Sequence, residues 1–366
     1  MNSRRGSVTR KFGILTSGGD CPGLNAAIRG VCRAAQGRYG MTIVGFSDGF
    51  RGIIEENARV LGPNDFSDIL TRGGTILGTS REKPFKSDVG SMDDIVGEKV
   101  GAVKATYRKL GLDCLVVLGG NGTNTTGYRF AQEGLNVIGL PKTIDNDIVG
   151  TDQAFGFHSA LSVCSEAIDR LHTTAQSHHR VMVIELMGRK AGWLALYAGV
   201  AGGGDVILIP EIPYDIKAVA RHLEARTRSD RPFSIVVVAE GALSIKEAEM
   251  DKRERKKHRA ENGPSVGYRV AREIQDETGM ETRATVLGYV QRGGIPSASD
   301  RVFATSLGTA AADLLARGDY GRMVALRSGE LGSVDLSVPA GRVRYVPRDH
   351  YMIDTALAVG ACMGIG

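Results

Sequence analysis

A chain of 366 residues with 42% hydrophobic and 24% charged side chains can bury one large or two medium cores and reads as an ordinary soluble protein. Its formal net charge of +5, without a long basic stripe interleaved with aromatics, argues against a nucleic-acid partner, and no stretch approaches the ~20 apolar residues of a membrane span. The 5 cysteines contain no Cys-x-x-Cys pair, so neither a disulfide framework nor a zinc site is suggested and a reducing cytoplasm fits, while 49 glycines without a collagen period imply many tight turns.

The amino terminus carries Arg4, Arg5, Arg10 and Lys11 with no apolar core and reads as a short polar tail. Phe12 to Leu15 is a short apolar strand that breaks into Thr16-Ser17-Gly18-Gly19-Asp20, after which Leu24 to Ala35 has helical spacing. Met41 to Phe46 reads as the next strand and Asp65 to Leu70 as a short helix closed by Arg72-Gly73-Gly74. A helix over Val100 to Leu110, a strand over Leu115 to Leu118, the turn Gly119-Gly120-Asn121-Gly122-Thr123 and a helix from Asn124 to Gln132 follow. The apolar run Leu135, Val137, Ile138, Leu140 then leads into Pro141-Lys142-Thr143-Ile144-Asp145-Asn146-Asp147. In extended backbone Thr143, Asp145 and Asp147 would share one side, giving a hydroxyl and two carboxylates suited to proton abstraction beside a divalent cation. Asp and Asn also favour turns on their own account, and these seven residues alone leave that reading open.

Ala160 to His172 is an amphipathic helix, Val181 to Glu185 and Val206 to Ile209 are strands, Ala218 to Arg228 is a helix and Ser234 to Val238 a further strand. The charged run 246–262 reads as a solvated helix or mobile insertion. Val266 to Thr278 is helical, Ala284 to Val290 strand-like and Ser306 to Leu315 helical, with no clear pattern from Gly332 onward. The repeated alternation of apolar strand, glycine turn and helix specifies an α/β fold with mainly parallel sheets, and its continuation past residue 160 specifies a second domain of similar build.

Three glycine turns, at Gly18-Gly19, at Gly73-Gly74 with Gly78, and at Gly119 to Thr123, would let backbone amides approach phosphate oxygens. None matches the P-loop or the dinucleotide fingerprint. Arg81, Arg180, Arg189, Arg283 and Arg292 sit in glycine-rich or strand-end positions, where guanidinium groups grip phosphates. The adjacent His178 and His179 would point to different sides and are assigned a packing or hydrogen-bonding role, and Trp193, Leu194 and Leu196 are assigned to the core.

From about Phe12 to Leu326 these stretches resemble the 6-phosphofructokinase family, through Leu-Thr-Ser-Gly-Gly-Asp-x-Pro-Gly, Gly-Gly-x-Gly-Thr, Pro-x-Thr-Ile-Asp-Asn-Asp, Met-Gly-Arg and Gln-Arg-Gly-Gly in that order. The resemblance implies two similar three-layer α/β/α domains with the active site in the cleft between them. A donor-binding domain would span 1–156 plus 293–343, and a sugar-phosphate domain 157–292 plus 344–366. It implies transfer of a phosphoryl group from ATP to the 1-hydroxyl of fructose 6-phosphate in glycolysis, with Mg²⁺, in a cytoplasmic homo-oligomer, a tetramer or a dimer. Asp145 would be the base, flanked by Thr143, with Arg81 and Arg189 offsetting charge on the transferred group. Gly19, Arg81, Glu82, Gly120, Asn121, Gly122, Thr123 and Lys142 match donor positions. Met187, Gly188, Arg189, Glu240 and Tyr289 match sugar positions, and Arg180, Arg283 and Arg292 match the cations for the 6-phosphate, two of them from a neighbouring subunit.

Asn121 and Asp147 match metal positions, but Asn121 stands where the best-known members carry Asp, so it offers an oxygen without charge. Tyr289 replaces a common His and keeps a hydrogen-bonding group. Lys142 is shared with pyrophosphate-dependent members, whereas those typically carry Asp at the position of Gly122, so the pairing favours ATP and keeps pyrophosphate as the alternative. A non-enzymatic sensor of nucleotide or sugar phosphate is the third reading, motivated by Asn121.

Overall fold

The computed structural model describes residues 8–85, 93–261, 263 and 265–365. Arg4 and Arg5 of the polar tail and Asn262 of the charged run lie outside the described residues. The chain runs through β1 (Lys11–Ser17), α1 (Leu24–Tyr39), β2 (Thr42–Phe46), α2 (Phe50–Ile54), β3 (Ala58–Leu61), α3 (Asp93–Lys109), β4 (Cys114–Gly119), α4 (Asn121–Gln132) and β5 (Val137–Pro141). Then come α5 (Phe157–His178), β6 (Val181–Leu186), α6 (Trp193–Ala201), β7 (Val206–Leu208), α7 (Ile216–Arg228), β8 (Ser234–Ala239), α8 (Ile245–Glu249), α9 (Lys252–Glu261), α10 (Val266–Thr278) and β9 (Thr282–Val286). The last elements are α11 (Ala298–Arg317), β10 (Arg322–Arg327), β11 (Glu330–Asp335) and α12 (Tyr351–Ala358).

Two compact units divide the chain. The first takes in the described residues up to Ile144, then Ile148–Ser159 and Arg292–Val343. Its seven-stranded sheet has the order β11-β10-β5-β4-β1-β2-β3, parallel except for the antiparallel edge strands β3 and β11. β4 and β5 are buried along their whole length, which is why they read as unbroken apolar runs: helices cover both faces of such a strand. Burying Phe12, Phe46 and Phe130 to zero exposure contributes roughly 1.5–3 kcal/mol each. Helices α1 and α11 cross backbone to backbone. A Cβ on Gly30 would lie 2.6 Å from the Thr305 carbonyl oxygen, and one on Gly308 2.6 Å from that of Ala27, so both positions exclude any side chain.

The second unit holds Asp145–Asp147, Ala160–Gln291 and the described residues from Arg344 on, around an all-parallel sheet of order β7-β8-β6-β9. Val266, Val270 and Ile274 of α10 pack in a core with Val183, Val236 and Val238. Glu185 on β6 holds the start of that helix, its Oε2 accepting from the Gly267 backbone N–H at 2.7 Å and from Ser265 Oγ at 2.6 Å.

The charged run forms α8 and α9. α9 is solvated, with no buried residue, while α8 ties the run to the second unit. Glu247 is fully buried and pairs with the equally buried Arg269 at 2.8 Å, Arg259 approaches it at 3.7 Å, and Arg255 Nε donates to its backbone carbonyl at 2.9 Å. Other departures are local. Asp65 to Leu70 is no helix, only a 3-10 turn over Pro63–Phe66, where Pro63 starts the turn and Ser67 returns to extended backbone. β9 stops at Val286, and Gly288 to Arg292 coil into a second 3-10 turn. His178 ends α5, while His179 has φ 54°, and both are exposed instead of packed.

Candidate active site

In the first unit, the chain turns from β1 through α1 to β2 towards one edge of the sheet, and from β4 through α4 to β5 towards the other. The crossover direction therefore reverses between β1 and β4, and a crevice opens where their following segments diverge. Register pairs Ser17 with Gly119 and Gly119 with Pro141, so the three strands end level with one another. Gly18-Gly19, Gly120 to Thr123 and Lys142 all leave that shared edge.

Gly120 to Thr123 is not the loop that its glycines suggest. Gly120 is the N-cap and Asn121, Gly122 and Thr123 form the first turn of α4, whose first internal bond runs from the Asn124 N–H to the Gly120 carbonyl at 3.0 Å. The free amides of that turn and the helix dipole face the crevice end of the sheet, an arrangement suited to an anion. Thr123 Oγ1 donates to the Ser17 carbonyl at 3.3 Å and fastens this turn to β1. Lys142 is only 3% exposed, and its ammonium group donates to the Gly19 carbonyl. Arg292 Nη1 donates to the Asp20 carbonyl at 3.0 Å and would lie 2.8 Å from a Cβ on Gly19. Two cations and a helix amino terminus thus converge on Gly18 to Asp20.

The segment 78–81 is bound to the same turn. The Gly18 N–H donates to the Ser80 carbonyl at 2.9 Å, and Thr79 Oγ1 donates to the Gly18 carbonyl at 2.7 Å, bringing the exposed Arg81 beside it in sequence. Glu82 is held elsewhere, in an ion pair with Lys99 at 2.7 Å. The Gly73-Gly74 turn follows no strand. Its place is set by Asn25, which donates to the Arg72 carbonyl at 3.0 Å and accepts from the Ile76 N–H at 2.8 Å.

The stretch 143–147 departs from extended geometry at Asn146, where φ is 51°. Asn tolerates the left-handed region better than most residues, at a cost on the order of 1 kcal/mol. Burial still alternates: Ile144 and Asn146 are buried, while Thr143, Asp145 and Asp147 are half-buried. On its far side the turn is held by the Arg344 N–H, which donates to the Asp147 carbonyl at 2.8 Å.

In the second unit, Met187, Gly188 and Arg189 leave the carboxyl end of β6, and Glu240 leaves that of β8. The Glu240 N–H donates to the Leu186 carbonyl at 2.8 Å, and Gly241 lies so close to Arg189 that a Cβ there would be 2.2 Å from its carbonyl oxygen. Those four positions are therefore neighbours. Tyr289 is 73% exposed in the turn beyond β9.

Arg180 and Arg283 are elsewhere. Arg180 precedes β6 and Arg283 is the second residue of β9, so both lie at the amino ends of parallel strands, roughly 20 Å along the strand from Met187. Their guanidinium groups share Glu281, at 2.7 Å and 2.5 Å, and the bond from Arg180 holds the Glu281 carboxyl below its usual range. Of the three arginines grouped by the sequence, Arg292 thus belongs to the crevice of the first unit and the other two to the far end of the second sheet.

Three residues shape the site in ways that the sequence alone does not assign, although Asn25 and Gln291 stand within its motifs. Gln291 is fully buried, accepts from the Met187 N–H at 3.0 Å and from Cys164 Sγ at 3.2 Å, and donates to the Gly288 carbonyl at 2.9 Å. Asp300 is fully buried and accepts from the Gly156 and Ser159 N–H groups at 3.0 and 2.7 Å, and the neighbouring Phe155 carbonyl accepts from the Thr143 N–H at 3.3 Å. Ser297-x-x-Asp300 is a legible capping pattern, although the carboxylate is spent on the 156–159 loop. Asn25 stands in the run Pro22-Gly23-Leu24-Asn25 that opens an apolar helix, and that place does not tell its partners. Cys21 beside the crevice is inert: burial pushes its thiol up to about 12.

The phosphofructokinase family model matches residues 11–315. An ATP-dependent 6-phosphofructokinase of Spirochaeta thermophila is 66% identical over 361 residues, covering 98% of this chain and 99% of that one. A pyrophosphate--fructose 6-phosphate 1-phosphotransferase of Amycolatopsis methanolica is 46% identical, covering 93% of this chain and 97% of that one. Among solved structures, a phosphofructokinase of Pichia pastoris superposes with a TM-score of 0.77 at 30% identity, over 96% of this chain but 36% of that longer one. With the family model spanning most of the chain and these relatives matching nearly end to end, the chain belongs to the phosphofructokinase family.

Proposed function

We propose that this chain is an ATP-dependent 6-phosphofructokinase, with the first unit binding the donor and the second the sugar phosphate. Family membership supports the reaction class, and one observation carries the choice of donor. A Cβ on Gly122 would meet nothing within 4 Å, so the first turn of α4 leaves open the space where an acidic side chain would crowd a nucleotide. The polyphosphate lies along the α4 amino terminus, with Lys142 and Arg292 offsetting its charge.

Asp145 takes the proton from the 1-hydroxyl, so that the oxygen attacks the terminal phosphoryl as its negative charge develops. Thr143 orients that hydroxyl, and Arg81 and Arg189, both exposed, are free to swing onto the transferred group. Met187, Gly188, Arg189 and Glu240 hold the sugar. Among the described residues no group of three or more His, Cys, Asp and Glu stands ready to hold a metal. Asp147 of the second unit offers a half-buried carboxylate and Asn121 of the first an amide oxygen, each by itself a hard donor of the kind that Mg²⁺ takes beside phosphate oxygens and water. Bound there, the ion would neutralise charge on the transferred phosphoryl.

Arg180 and Arg283 serve the 6-phosphate in a neighbouring copy of the chain, which supports a homo-oligomer. The exposed Val286, Tyr289 and Val290 along the β9 edge add apolar surface of the kind that a partner covers. No helix among the described residues is long and apolar enough to cross a membrane, and we place the enzyme in the cytoplasm. A pyrophosphate-dependent enzyme is the second reading, favoured by the Lys142 ammonium at the Gly19 carbonyl in the phosphate crevice. A coupled assay with ATP or pyrophosphate at fixed fructose 6-phosphate decides: turnover with pyrophosphate and none with ATP would overturn the donor assignment, and none with either would overturn the enzyme.

A further inference from the structure

We infer that the segment Arg344–Val346 is a clamp that holds the Asp145–Asp147 turn in its strained, working geometry, with Glu211 and Trp193 as the positioning residues that fix it. All of these residues belong to the second unit. Asn146 keeps a left-handed backbone while 93% buried, so a neighbouring structure must over-determine it. The neighbour is the tail. The Arg344 N–H donates to the Asp147 carbonyl at 2.8 Å, and the Trp193 indole Nε1 donates to the Arg344 carbonyl at 2.9 Å. Arg344 is thus held through both of its backbone polar groups.

Side chains reinforce the backbone bonds. The Arg344 guanidinium lies 4.3 Å from the Trp193 ring centroid, a cation–π contact on a ring only 4% exposed. The His350 ring meets Trp193 edge-on at 5.0 Å, and its Nδ1 accepts from the Met352 N–H at 3.2 Å to start α12. Burial, aided by the nearby Arg344 charge, lowers the pKa of that imidazole, the direction that favours an accepting nitrogen. Two residues further along the clamp, Glu211 Oε1 accepts from the Val346 N–H at 2.9 Å and from the Gly192 N–H at 3.0 Å. Gly192 closes the loop that carries Met187 to Arg189. One carboxylate therefore couples the clamp over the Asp145–Asp147 turn to the loop proposed to hold the sugar. A shift of the base or of the sugar loop by 1 Å is enough to lower the rate about a hundredfold.

The inference rests on Asp145 as the base, and the experiment separates the two. Steady-state kinetics with ATP and fructose 6-phosphate, alongside thermal unfolding, are compared for Glu211→Ala, Glu211→Gln, Trp193→Phe and Asp145→Asn. Glu211→Ala is expected to lower kcat about tenfold or more with the KM for ATP unchanged. Glu211→Gln keeps an oxygen that accepts from both N–H groups and should stay within about twofold of the parent. Trp193→Phe keeps the ring but not the donor and should fall between them. Parent-like kcat in a folded Glu211→Ala, or an equal loss in Glu211→Gln, would overturn the clamp; if Glu211→Ala does not fold, parent-like kcat in Trp193→Phe does so. Parent-like turnover in Asp145→Asn would overturn the base instead.

Discussion

The crevice of the first unit and the sugar side of the second are built from different materials. Around Gly18 to Asp20 the working groups are backbone amides, a helix end and two cations whose reach is fixed by carbonyl contacts, all at one edge of one sheet. In the second unit Arg180 and Arg283, paired with Glu281, stand at the amino end of β6 and β9, while Met187, Gly188 and Glu240 stand at the carboxyl end of β6 and β8. The candidate donor groups share one edge of one sheet, whereas the residues matched to the sugar phosphate stand at opposite ends of another. On the proposed function, the donor is served within one chain and the 6-phosphate by Arg180 and Arg283 of a neighbouring copy.

The harshest test of that contrast is to disable each kind of group in separate chains. Asp145→Asn should lower kcat by about 10²–10⁴ while leaving both KM values near the parent's, because the base contributes to the transition state and little to binding. Arg283→Ala should instead raise the KM for fructose 6-phosphate roughly tenfold to a hundredfold, the worth of a charge-assisted contact, with the KM for ATP unmoved. Mixing the two variants under conditions that let subunits exchange should restore part of the activity if Arg283 serves a partner's site. Additive, unrescued losses would put the arginine at its own chain's site and erase the contrast.

A smaller effect probes the donor side. Gly122→Asp should fold, since nothing occupies the space around its Cβ, yet raise the KM for ATP about tenfold through like-charge repulsion while sparing pyrophosphate. Equal loss with both donors, measured in the same coupled assay, would show that the substitution disturbs the helix end rather than the choice of donor.

Much of this was legible in the sequence where burial is two-sided. β4 and β5 announce themselves because helices on both faces require apolar side chains at every position. The glycine turns were visible too, but their geometry was not: Gly120 to Thr123 looks like a loop by composition and is a helix start, because Asn and Gly cap helices as readily as they break them. The alternation of Thr143, Asp145 and Asp147 was right in its burial and wrong in its mechanism, since a left-handed Asn146 replaces extended backbone. The edge hairpin β10–β11 and helix α12 escaped notice because β11 is largely exposed and short elements carry little periodic signal. Nothing local in Glu211, Asp300 or Gln291 tells which distant N–H each will meet. Those contacts are set by chain crossings of up to 144 residues.

The smallest predicted effect concerns Glu211 and acts on stability rather than rate. Burial raises its pKa above the ordinary carboxylate value, outweighing the N–H bonds from Val346 and Gly192 that favour the ionised form. A folded-state pKa above the unfolded one means that the folded chain binds this proton more tightly. The contribution of Glu211 to stability is then fully present below the unfolded pKa and is lost as pH rises through the folded one. Glu211→Gln removes the titration and keeps an acceptor. Its melting temperature should gain on the parent's as pH rises above the ordinary glutamate value of about 4 and the parent's carboxyl ionises. A gap that instead narrowed with rising pH would mean that the two N–H bonds dominate, and that the carboxylate form is the one that the folded tail prefers.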